Sequence, residues 1–112
     1  MVNMEKKEME NLINQFQNYQ QQLQNILIQK ESLKLQNIEI EKALEELNSS
    51  KEKDAYKITG SIMVSKPIEE LKKELNETKE TLGVRIKSLE RTEEKISLKL
   101  KEMQTKLKGI SG

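Results

Sequence analysis

The chain has 112 residues, 34% apolar and 35% charged, with one Phe, two Tyr and no Trp, so it is short of the bulky groups that build a compact core. Lacking both Cys and His, it has no thiolate chemistry, no imidazole acid–base chemistry and none of the usual zinc ligands, and its four glycines form no phosphate-cradling loop. Twenty basic against nineteen acidic residues argue against a nucleic-acid or anionic-membrane binder. No apolar run approaches the roughly 18 residues of a membrane span, and the N-terminus shows no signal-peptide core. A soluble, cytoplasmic protein that is not an enzyme and carries no cofactor is expected.

The first predicted element is a long helix over residues 1–48. Met9, Leu12, Phe16, Tyr19, Leu23, Ile26, Lys30, Leu33, Asn37, Ile40, Leu44 and Leu47 recur at alternating gaps of three and four, and ten of these twelve are apolar. That is a heptad seam. It also explains a composition anomaly: residues 11–29 hold no charge, and "QFQNYQQQLQN" reads at first as low complexity. Its glutamines fall outside the seam, so the stretch is the solvated face of an amphipathic helix. Asn48, Ser49 and Ser50 supply a stop.

Residues 49–66 form the linker. Tyr56 and Ile58 alternate with Lys57 and Thr59, and Ile62 and Val64 alternate with Ser61, Met63 and Ser65, around Gly60. Period-two, β-branched residues about a glycine predict a β-hairpin. A two-residue Gly60-Ser61 turn places Ile58 opposite Met63. A three-residue loop centred on Gly60 places Ile58 opposite Ile62 and Tyr56 opposite Val64, and is favoured because it keeps one face apolar. A lone hairpin is marginal in water and leaves both edges open. Hairpins from several chains pooled into a common sheet or barrel resolve this, and are favoured over a loose loop capping a helical pair. The run Lys51 to Asp54 reads as solvated surface.

Residues 67–112 form the second helix, with Pro67 in its first turn and Glu69 and Glu70 complementing the dipole. Ile68, Leu75, Leu82, Leu89, Ile96, Met103 and Ile110 recur every seven residues. Their partners are first Leu71 and Thr78, then Ile86, Glu93, Leu100 and Leu107. The change puts two gaps of four together and predicts local unwinding of the supercoil near Thr78 to Ile86. Gly83 lies inside it, either as a softer point or as a tolerated surface glycine. An antiparallel pairing aligns Leu47 with Ile68, Leu33 with Leu82, Tyr19 with Ile96 and Leu12 with Met103. In that register Asn37 meets Thr78, a polar layer expected to fix alignment.

Two long helices joined by one hairpin, with "AYKITGSIMV" in the linker and "LKKELNETKETLGVRIKSLERTEEKISLKLKEMQ" after it, resemble the prefoldin beta class over nearly the whole chain. The resemblance implies a mainly α fold: an antiparallel two-helix coiled coil whose hairpin enters an intersubunit β-barrel. It implies a hexamer of four beta-like and two alpha-like subunits. The free tips of the coiled coils would bind unfolded polypeptide without ATP and deliver it to a group II chaperonin.

The residues suit that work. Met4, Met9, Leu12, Ile13, Phe16, Leu100, Met103, Leu107 and Ile110 lie towards the helix ends, where fraying would expose them to a client; ordinary seam packing is the alternative. Methionine adapts to many shapes, and a neutral Gln/Asn face contacts clients of either charge, although glutamine is also simply a good helix former. Tyr56, Ile58, Gly60, Ile62, Met63 and Val64 are assigned to subunit assembly. The competing function is a structural coiled-coil scaffold.

Overall fold

A computed structural model describes the backbone of residues 2–111 and the side chains of residues 5–109. The element order is α1 (Val2–Ser49), β1 (Asp54–Thr59), β2 (Ile62–Pro67) and α2 (Ile68–Ser111). The fold is mainly helical, with one two-stranded antiparallel sheet.

In α1 the seam read from the sequence is the covered face. Each of the twelve seam residues from Met9 to Leu47 is buried or half-buried, and outside the seam only Ala43 is among the described residues of the helix. Ile26, Leu33 and Leu44 are the most enclosed. The glutamines between them are exposed, with no break in the helix. At its end the Ser49 hydroxyl donates to the Glu46 carbonyl, and the Ser50 hydroxyl accepts from the Glu52 N–H. Local side-chain bonds of this kind compete with the helical ladder and stop it.

In α2 every expected seam position among the described residues is covered except Thr78, and Lys72, Glu74, Lys79, Gly83 and Ser97 are half-covered besides. Thr78 is exposed and its hydroxyl donates back to the Glu74 carbonyl of its own helix. Lys79 is half-covered in its place and ion-pairs with Glu41 of α1 at 3.5 Å. The two consecutive gaps of four therefore fall at Leu71, Leu75 and Lys79, one turn or more nearer the hairpin than expected. A long lysine can cover the seam with its stem and keep its charge in water, which a threonine cannot. The helix is unbroken over residues 78–86, and a methyl added at Gly83 would meet nothing within 4 Å.

The Asn37–Thr78 layer is accordingly absent. Asn37 instead donates to Glu41 at 3.4 Å, and its Oδ1 is buried with no partner among the described residues.

The chain divides into two compact units. One comprises residues 32–86: the end of α1, the hairpin and the start of α2. Within it the helices run antiparallel, since Ser49 leads through the hairpin to Ile68 while Glu41, further back, meets Lys79. The other unit joins Met1–Glu31 to Lys87–Gly112, so the earlier part of α1 shares it with the later part of α2. There Lys30 donates to Glu93 at 2.7 Å, an ion pair between two seam positions whose side chains are only 17% and 25% exposed. Glu93 holds the lysine's pKa above its ordinary value, chiefly through that hydrogen bond.

Candidate functional site

The hairpin pairs Ile58 with Met63, Thr59 with Ile62, Lys57 with Val64 and Tyr56 with Ser65. This is the two-residue Gly60-Ser61 loop, and it overturns the register favoured from the sequence, in which Ile58 faced Ile62 and Tyr56 faced Val64. The reason lies in the turn. Gly60 has φ 62°, while Ser61 has no positive φ, as in a type II′ turn, whose twist matches that of the strands. An apolar face cannot select a register when neither face is covered: Tyr56, Ile58, Ile62 and Met63 are each more than 60% exposed.

The register divides the apolar groups between two faces. Tyr56, Ile58 and Met63 share one with Ser65; Ile62 and Val64 share the other with Ala55, Lys57, Thr59 and Lys66. The second face looks towards α2, for Lys57 and Lys66 reach Glu74 there at 3.1 and 2.8 Å. An apolar recess of about 470 Å³ opens beside β1, lined in part by Ala43, Leu47, Leu71 and Leu75.

Backbone groups follow the same alternation. The Ile68 N–H donates to the Lys53 carbonyl at 2.8 Å, extending the ladder one position past the strands. Counting from it, pairs 55–66, 57–64 and 59–62 exchange hydrogen bonds, whereas Tyr56, Ile58, Met63 and Ser65 point theirs outward. Pro67 is the last residue of β2, opposite Asp54, rather than part of the first helical turn. Its missing N–H costs the ladder nothing, because that position is not a bonded one.

Towards the chain ends the described candidate residues are covered to different degrees. Met103 is buried; Met9, Leu12, Phe16, Leu100 and Leu107 are half-buried; Ile13 is exposed. The side chains of Met4 and Ile110 lie outside the described residues. The sequence reading passed over Leu27 and Ile28, which lie off the seam and are 42% and 62% exposed. A signal was available: both fall in the uncharged stretch 11–29 and match no seam position. Leu35 and Ile38 are likewise exposed off the seam.

No group of three or more His, Cys, Asp or Glu is placed to hold a metal among the described residues, and none of their helices is long and apolar enough to cross a membrane.

Helices paired through a heptad seam in each unit, with one exposed hairpin between them, place the chain in the coiled-coil class. Comparison with known proteins narrows the class. Residues 10–111 match the family described as prefoldin subunit. The prefoldin subunit beta of Archaeoglobus fulgidus is 40% identical over 104 residues, 92% of this chain and 90% of the relative. That of Thermococcus onnurineus is 40% identical over 97 residues, covering 86% and 84%. The crystal structure of the prefoldin beta subunit from Thermococcus strain KS-1 superposes with a TM-score of 0.83 at 36% identity, covering 91% of this chain and 90% of that one. The chain belongs to the prefoldin subunit family and, within it, to the beta class. That membership makes it a chaperone subunit and not an enzyme.

Proposed function

We infer that the chain serves as the beta-class subunit of an ATP-independent co-chaperone, which binds unfolded or nascent polypeptide, prevents its aggregation and passes it to a group II chaperonin. Family membership across residues 10–111 carries this reading. The hairpin is the assembly element: Tyr56, Ile58, Gly60, Ile62, Met63 and Val64 join hairpins of further beta copies and of an alpha-like partner in a shared β-barrel. What supports it is the exposure of both apolar faces together with unpaired outward backbone groups, a combination that a sheet pooled between chains would satisfy.

The helix ends are the client-binding element. Met4, Met9, Leu12, Ile13, Phe16, Leu100, Met103, Leu107 and Ile110 meet the client as the seam opens, with the neutral Gln/Asn face beside them. Leu27 and Ile28 extend that surface without any opening, since they are already exposed. The work is placed in the cytoplasm, where nascent chains are met.

The test is to dilute a chemically unfolded protein into nucleotide-free buffer with the chain assembled on an archaeal alpha-class subunit. Suppressed aggregation is expected. Deleting residues 1–9 and 106–112 together abolishes the suppression and leaves the hexamer intact; loss of the hexamer instead would exchange the two ends' roles. A scaffold without chaperone activity would leave aggregation unchanged.

A further inference from the structure

An exposed two-stranded hairpin has no packing to set its angle to the helices beneath it. Among the residues of β1 and β2 only Ala55 and Lys66 are even half-covered. The backbone contributes one bond at the root, Ile68 to Lys53, which fixes where the hairpin starts and leaves its far end free to swing. What spans the gap is chiefly one carboxylate. Glu74, on α2, accepts from Lys57 of β1 at 3.1 Å through one oxygen and from Lys66 of β2 at 2.8 Å through the other. A single side chain thus grips both strands from the same face of the sheet.

We propose that Glu74 is the residue that orients the hairpin for assembly: by drawing Lys57 and Lys66 onto α2 it turns the Tyr56, Ile58 and Met63 face, with the outward backbone groups of Tyr56 and Ile58, towards the apolar strand face of a neighbouring subunit's hairpin. This rests on the assembly reading given above. Exposed ion pairs are individually weak, largely because two long side chains must be ordered to make each one. Here the second lysine meets a carboxylate already held by the first. The two lysines outnumber the anchor, and Glu70, 4.0 Å from Lys66, supplies the further negative charge on the same helix. Consistent with this arrangement, hydrogen bonds first from Lys66 and then from Lys57 hold the Glu74 carboxyl below its ordinary pKa, and Glu74 holds Lys66 above its own.

An ionic hold also explains how the faces stay apart in their work. A hairpin pinned to α2 by buried Ile62 and Val64 would consume apolar surface in the free subunit, whereas a lysine-and-glutamate hold leaves all of it available for neighbours.

The test measures orientation and assembly separately. Spin labels at Ser61 and Thr81 of the full chain report the hairpin's angle: a narrow distance distribution is expected for the parent and a broad one for Glu74→Gln. Mixed with an archaeal alpha-class subunit, Glu74→Lys is expected to need about tenfold more protein to reach half-maximal hexamer. The triple charge swap of Glu74→Lys with Lys57→Glu and Lys66→Glu restores it, a rescue that loss of helix stability could not produce. Circular dichroism confirms that the helices persist in each variant. Narrow distances and full assembly in every Glu74 variant, alongside failure of Tyr56→Ala/Ile58→Ala to assemble, would overturn the orienting role and leave the assembly reading standing. Full assembly of the Tyr56/Ile58 variant as well would remove both.

Discussion

Among the described residues, Asn37 occupies a seam position with its amide oxygen enclosed and unbonded, and its amide nitrogen engaged only with Glu41 of the same helix. A buried acceptor without a donor costs about 1–3 kcal/mol. The residue still has a use, because the carboxylate it touches is the one that meets Lys79 across the helix pair. Replacing it with leucine should therefore raise the thermal midpoint by about 4 °C or more and weaken the Glu41–Lys79 pair; a lower midpoint would show that the amide is satisfied in solution. Gly83 offers a cleaner case. It stands inside an unbroken helix with open space where a Cβ would go, so Gly83→Ala should stabilise by about 0.5–1 kcal/mol, read by urea unfolding. Both effects concern single positions whose environment could not be inferred from periodicity. The seam told which residues were covered, including polar Asn37, but not what their polar atoms would find.

At the scale of elements, the two helices and the hairpin were legible because each announces itself by a period: gaps of three and four before Ser49 and after Pro67, alternation of two between them. The details that escaped were those decided by something other than period. The hairpin register was read from an assumed buried face, yet the turn chemistry of Gly60-Ser61 set it, and this is a local property that needs no third strand. Substituting Gly60 by valine should disorder the hairpin, since a β-branched residue is strained at φ 62°, with loss of strand protection in amide exchange and little change in helix content. The Glu74 hold was illegible for a different reason: Lys57, Lys66 and Glu74 are ordinary surface residues in a chain where more than a third of positions are charged. Its pH behaviour follows in sign. A carboxyl whose folded pKa is depressed contributes stability that is complete above its unfolded value and disappears as pH falls through the folded one. Lys66, with its pKa raised, contributes until pH rises past its ordinary 10.5. The hairpin's orientation should thus hold through neutral pH and broaden on the acid side of the normal carboxylate range and at strongly alkaline pH. Constant label distances across a titration would contradict it.

For the molecule as a whole, the question is where an unfolded chain meets it. The sequence pointed to the helix ends because fraying there would expose apolar groups, with seam packing as the alternative, and in the folded chain Met103 is buried and Met9, Leu12 and Phe16 are half-buried in the seam. Client contact at those residues requires the seam to open, which sets apolar packing between helices against apolar packing on the client and makes binding weaker than their apolar area alone would suggest. Leu27 and Ile28 carry no such cost, being exposed at the end of the uncharged stretch 11–29. Changing both to asparagine removes apolar area that the free subunit already shows, and at about 25 cal/mol per Å² this weakens client capture several-fold. The seam is untouched, so the thermal midpoint and the assembled mass stay as they were, while more of the complex is needed to suppress aggregation of a diluted, unfolded protein. Unchanged suppression would return the whole of the client surface to the ends, and with it the requirement that they open before they bind.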